Sequence, residues 1–117
     1  MKKIYHLATC DTCKRIIREL QLPSEFEKRE IKQQELTVYE LESLRKLAGS
    51  YEALFSKRAK LYKERGLKDE KLSEEDFKRF ILEHYTFLKR PVIVNGNEIF
   101  IGNSVKVVEA AKNSIHG

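Results

Sequence analysis

Two cysteines, Cys10 and Cys13, stand in the stretch "ATCDTCKRIIREL" and are the only thiols of the chain. A thiol reacts as the thiolate, and an ordinary cysteine of pKa ~8.5 is mostly protonated at neutral pH. Cys10 precedes a run in which Ile16, Ile17 and Leu20 fall at helical spacing, with Lys14, Arg15 and Arg18 on the other side. A cysteine at such a helix start meets unsatisfied N–H groups and the positive end of the helix dipole, both of which favour an anion. Lys14 and Arg15 add positive charge one turn further on. This spacing makes Cys10 the exposed nucleophile of lowered pKa, and Cys13, in the same first turn, the thiol that resolves an adduct on Cys10.

Two other uses of a CxxC are open to the same residues. A structural zinc site takes four ligands and one CxxC supplies two; His6, His84 and His116 show no paired spacing that would complete it. Two inert buried cysteines are the other alternative, against which the helix-start position argues. His6 alternates with Tyr5 in a strand-like segment, and His84 lies along an apolar helical face, so both read as packing residues. No GxGxxG, P-loop or HExxH motif is present, and a serine triad has nothing to rest on.

The elements that must hold the thiols follow from periodicity. "KIYHL", residues 3–7, is a short strand running into the CxxC, and the helix from Asp11 ends at Gln21–Pro23 because proline cannot continue it. "FEKREI", residues 26–31, suits a second strand. Thr37 opens a helix with Glu40 as capping-box partner and Leu36 and Leu41 as staple, and Gly49 closes it. Two short helical pieces end at Gly66. Ser73 and Asp76 repeat the capping pattern before an apolar face of Phe77, Phe80, Ile81, His84 and Phe87/Leu88. After Pro91, "VIV", "NGN" and "EIFI" predict a hairpin whose Asn-Gly turn takes positive φ at both central residues. A last helix over about 104–114 is expected to bury Val105, Val108 and Ala111. The order is β-α-β, helices, then β-β-α: an α/β fold forming a single domain over 1–117, with a helical insertion at about 37–88.

Bulk properties fit this picture. At 117 residues, with 41% hydrophobic and 35% charged side chains, the chain has enough apolar content for one globular core and too much for a disordered chain. No apolar run approaches the roughly 20 residues of a membrane span, and "MKKIYHLATC" lacks the apolar core of a signal peptide. The cytoplasm is the expected compartment, no membrane partner is expected, and a small domain without an exposed apolar stripe is expected to be monomeric. The net charge of +5 is matched by one segment, 56–68, with six cations against one acid, Glu64. Such a run is either a solvated helix surface or a contact for an anionic partner. Tyr62 is its only aromatic residue and no helix-turn-helix is visible, so direct nucleic-acid binding is not expected.

Three segments together resemble one family. "YHLATCDTCKR", "GSYEALFSKRAKLYKERGL" and "FLKRPVIVNGNEIFIG" are similar to the thioredoxin-fold family that holds glutaredoxin-coupled arsenate reductases, the Spx regulators and the YffB-type proteins (ArsC/Spx/YffB), across nearly the whole chain. The resemblance implies a thioredoxin-like (glutaredoxin-like) mixed sheet with Cys10 as nucleophile. It also implies Arg58 and Arg90 as cations beside Cys10 and a cis Pro91 against its loop. No bound cofactor is implied; glutathione/glutaredoxin or thioredoxin would supply electrons for a small oxyanion or disulfide substrate. The arsenate reductases place a further arginine after the hairpin, whereas residues 92–117 contain none, which disfavours arsenate as the physiological substrate. The CxxC, with Gly102 and Asn103, is closer to the Spx and YffB branches. Gly49 matches a glycine by which Spx-like regulators contact the C-terminal domain of the RNA polymerase α-subunit. The resemblance thus implies either a thiol-disulfide oxidoreductase related to arsenate reductase or a redox-sensing regulator.

Overall fold

Short apolar strands and helices of one-sided polarity can bury their faces only by layering, and the computed structural model, which describes residues 1–117, shows how. Four strands, β1 (Lys2–His6), β2 (Glu27–Glu30), β3 (Val92–Asn95) and β4 (Glu98–Ile101), form one sheet in the order β2-β1-β3-β4. β1 runs parallel to β2, linked through helix α1 (Asp11–Leu20), and antiparallel to β3, which pairs antiparallel with β4. Ile4 lies opposite Ile93, and Ile93 opposite Phe100, so these three share one face of the sheet. Ile16 and Leu20 of α1 and Val108 and Ala111 of α5 (Val105–His116) join Ile4 and Ile93 in the core, with Phe100 packed at its edge. This mixed sheet with its helices is the α/β fold that the element order predicts, and the thioredoxin-like one that the resemblance implies.

The chain divides into two compact units, Met1–Gln34 with Arg90–Gly117, and Glu35–Lys89. The second contains α2 (Val38–Ala48), α3 (Lys60–Glu64) and α4 (Glu74–Glu83), joined by short 3₁₀ turns. Its helix starts are the ones legible in sequence. Thr37 and Glu40 exchange two hydrogen bonds of 3.1 Å, and Ser73 and Asp76 form the same reciprocal box. The core of this unit centres on Phe55, whose ring stacks on Phe87 at 5.4 Å and meets Phe77 at 4.8 Å and Tyr62 at 5.8 Å. Backbone bonds from Ser56 N–H to the Phe87 carbonyl and from Lys89 N–H to the Leu54 carbonyl, both 2.8 Å, fasten the segments carrying those rings.

Three local expectations need correction. The hairpin turn is Gly96-Asn97, since Asn95 still pairs with Glu98, and positive φ occurs at Gly96 (63°) alone. Glycine at the first central position is the pattern of a type II′ turn, which matches strand twist as well as the expected type does. Val105 is 75% exposed, whereas Val108 and Ala111 are buried. It is the first residue of α5, after the Ser104 cap, and helical side chains tilt toward the N-terminus, carrying this one past the packed turn. His84 is not on the face of α4: the helix stops at Glu83, and His84 is extended, with Nδ1 accepting the Thr86 N–H at 3.0 Å. Its role is to cap the 3₁₀ turn Tyr85–Phe87 that delivers Phe87 to the core.

Candidate active site at the start of α1

Cys10 is the N-cap of α1, with extended φ and ψ of −89° and 115°. Its N–H donates to the Leu7 carbonyl and its own carbonyl accepts the Lys14 N–H, both at 3.0 Å, so one turn ends and the helix begins on this residue. Cys13, in the first turn of α1, is fully buried, while Cys10 is half-buried; both are free thiols. The sequence "CDTC" folds this way because Asp11 tolerates the dipole at the exposed first position. Cys13 then points inward on the same side as Ile16 and Leu20.

The two thiols differ electrostatically. Partial burial opposes the Cys10 thiolate, but the Cys13 N–H, the Cys13 thiol, the Thr12 N–H and the Arg90 charge outweigh it, and its pKa falls below the ordinary thiol value. Burial pushes the Cys13 thiol up to about 11, with the Cys10 charge and the hydrogen bond to Cys10 adding to the rise; the Leu7 backbone and Arg90 oppose it. The arrangement sets a thiol of lowered pKa beside one of raised pKa, a pairing that favours ionisation of Cys10 first. The cation acting on both is Arg90. Lys14 and Arg15 are instead drawn to Asp11 (4.0 Å) and Glu19 (3.7 Å) along the outside of α1.

Arg90 immediately precedes Pro91, and the bond between them is cis, the isomer the resemblance implies. The Arg90 Nε is buried and has no hydrogen-bond partner, which leaves a charged donor available to an acceptor. Pro91 is buried, and its carbonyl accepts the Gly102 N–H at 2.9 Å, fixing the entry to β3 against the exit from β4. The structure therefore brings Cys10, Cys13 and Arg90 into one electrostatic group.

Arg58 and Gly49 belong to the helical unit. Arg58 is exposed, two residues before α3. Gly49 is the C-cap of α2 at φ 95°, its N–H donating to the Arg45 carbonyl at 2.8 Å. That left-handed conformation accounts for glycine at this position without a partner. In the cationic run, Lys57 pairs with Glu52 at 2.8 Å, Lys60 with Glu64 at 3.7 Å, and Arg65 with Glu83, so much of its charge is matched within its own unit. No cluster of three or more His, Cys, Asp or Glu side chains is arranged to hold a metal ion.

Sequence reasoning missed Glu30, at the end of β2. Its carboxylate accepts the Ala8 N–H at 2.6 Å, the Lys32 N–H at 2.5 Å and the Gln33 N–H at 2.9 Å. Burial works against the carboxylate charge, but these three donors and His6 hold its pKa below the usual carboxylate range. An acid followed by the polar turn "KQQ" hints at the two local bonds; the bond to Ala8, 22 residues away, has no local signal. His6, beside it, is kept below the ordinary histidine value by burial, with Lys28 acting the same way and Glu30 opposing.

Comparison with known proteins bears on the fold and the family. A relative 29% identical over 107 residues, covering 87% of this chain and 79% of its own, is the global transcriptional regulator Spx 2 of Bacillus anthracis. An ArsC family related protein from Bacteroides fragilis superposes with a TM-score of 0.76 at 23% identity, covering 94% of this chain and 96% of that one. An arsenate reductase from Vibrio cholerae does so with a TM-score of 0.76 at 21% identity, covering 96% and 95%. The model of the ArsC family matches residues 5–111, from β1 into α5, and with that span accounted for the chain belongs to the ArsC family.

Proposed function

We propose that the protein is a thiol-disulfide oxidoreductase in which Cys10 attacks and Cys13 resolves. The observation that carries this reading is the opposed pair of thiols, Cys10 lowered and half-exposed, Cys13 buried and raised to about 11. On a disulfide substrate, the Cys10 thiolate forms a bond to one sulfur and expels the other as a thiolate. Cys13, on losing its proton, then attacks the Cys10 sulfur and releases the second substrate thiol. Two electrons pass to the substrate, and the Cys10–Cys13 disulfide remains to be reduced by thioredoxin or by glutathione with glutaredoxin. Arg90, with its unpartnered Nε, would steady an anionic group on the substrate next to Cys10. Arsenate is not the expected substrate, because no arginine follows the hairpin.

The test is NADPH oxidation coupled through either reductant system, with a model disulfide and with arsenate, comparing the protein with Cys10→Ser. Cys10-dependent turnover of the disulfide is expected; absence of Cys10-dependent turnover in both systems would remove the enzyme reading. Arg58→Ala in the same assay reads whether that side chain contributes to turnover.

The match to Spx 2 favours a second reading, in which the same disulfide is a signal and the partner is the α-subunit of RNA polymerase. Capture of the C-terminal domain of that polymerase chain by one redox state would support it, and failure of both states would exclude it.

A further inference from the structure

We infer that Glu30 is the positioning residue of the thiol site, a carboxylate clamp that sets the turn on which Cys10 stands. The inference rests on the reading of Cys10 as the reactive thiol. Leu7, Ala8, Thr9 and Cys10 form a single turn, closed by the 3.0 Å bond from the Cys10 N–H to the Leu7 carbonyl. The N–H of its second residue, Ala8, points at one oxygen of Glu30, 2.6 Å away. The other oxygen holds the Lys32 and Gln33 N–H groups, inside the turn after β2. His6 and Glu30 are register partners at the ends of the parallel strands, and the Ile31 N–H continues the ladder to the His6 carbonyl at 3.0 Å. One carboxylate therefore ties the exits of β1 and β2 together, directly before the nucleophile.

The Leu7–Cys10 turn decides where the Cys10 sulfur lies relative to the Thr12 and Cys13 N–H groups that favour its thiolate. Releasing Ala8 frees the turn from its fixed strand and weakens that alignment. Two effects of removing Glu30 then have opposite signs. Loss of a nearby negative charge would by itself ease ionisation of Cys10, whereas loss of the clamp hinders it. A side chain that merely adds stability would leave the thiol's ionisation where it was.

Glutamine is the sharpest substitution, since its single carbonyl oxygen cannot serve both sets of donors and its amide would face an N–H. Cys10 alkylation by iodoacetamide, followed against pH by mass spectrometry on native protein, is the readout. Glu30→Gln is expected to slow Cys10 alkylation at neutral pH about fivefold, the factor that one ordinary net hydrogen bond represents, and to move its midpoint upward. An unchanged or lowered midpoint would overturn the inference. Should the variant fail to fold, hydrogen exchange on the unaltered protein decides: the Ala8 amide is expected to exchange at least about tenfold more slowly than a free amide. An unprotected Ala8 would overturn it equally. A wild-type Cys10 midpoint above the ordinary thiol value would instead sink the thiol reading while leaving Ala8 protection intact, so the two failures are distinguishable.

Discussion

Blocking or removing Cys10 should change the ionisation of Cys13, and the structure gives both the size of the starting effect and the sign of the change. With a pKa of about 11, Cys13 is thiolate in about one molecule in 10,000 at pH 7, against about three in 100 for an ordinary thiol of pKa ~8.5. Its alkylation should thus be about 300-fold slower than that of a free cysteine on ionisation alone, before its complete burial is counted. Iodoacetamide at pH 7 should modify Cys10 and spare Cys13. In Cys10→Ala, burial still holds the Cys13 thiol up, but the negative charge and the hydrogen-bond acceptor that add to the rise are gone. The Cys13 midpoint should therefore fall. The assay is differential alkylation with two isotopic reagents across pH 6–12, with peptide mass spectrometry assigning each site. Equal labelling of the two cysteines at pH 7, or the same Cys13 midpoint with and without Cys10, would refute the reasoning.

The same raised thiol predicts an alkaline loss of stability. Between the unfolded value near ~8.5 and the folded value of about 11, the unfolded chain sheds the Cys13 proton and the native one keeps it, so stability falls with rising pH by about 1.4 kcal/mol per unit. Urea titrations of Cys13→Ala should lack that part of the slope; parallel curves above pH 9 would count against it. Phe55→Ala, which empties the centre of the aromatic cluster, should cost about 3–5 kcal/mol in urea unfolding, and a loss under 1 kcal/mol would mean the rings re-close around the gap. Gly49→Ala should cost about 1–2 kcal/mol from its positive φ alone, since an added Cβ meets nothing within 4 Å; a neutral result in thermal melts would show that α2 can end another way.

Legibility in the sequence followed the range of the interaction. Both capping boxes could be read because donor and acceptor lie three residues apart: Thr37 and Glu40, Ser73 and Asp76. The α1 start was legible for a similar reason, since cysteine spacing and helical periodicity overlap in one short stretch. His84 misled because periodicity continues past Glu83 while the backbone does not, and a side-chain cap two residues long is too local to show in a helical pattern. Val105 misled because periodicity carries no information on where the neighbouring layer ends. Arg90 had no local mark as the site's cation; the family resemblance pointed to it, and proximity in space to Cys10 gives it a physical role. Glu30 was invisible because its defining bond joins the ends of two strands.

The coupling between the thiols gives the proposed order of events a physical basis. When Cys10 ionises, its thiolate draws stability from the Cys13 proton, and the same interaction holds that proton in place. Cys13 is accordingly a poor nucleophile for as long as Cys10 is free. With an adduct on Cys10, its sulfur would be neutral and a weaker acceptor, so the charge contribution that raises the Cys13 pKa would be lost and the hydrogen-bond contribution reduced. Burial remains and limits how far the pKa falls, which also keeps solvent oxidants from reaching Cys13 first. The proposed mechanism would thereby tie resolution to attack: the second thiol would gain reactivity as a consequence of the first having reacted. In the proposed reading, whether the disulfide is handed to a reductant or read by a partner, the step that makes it would be governed by these two sulfurs and Arg90.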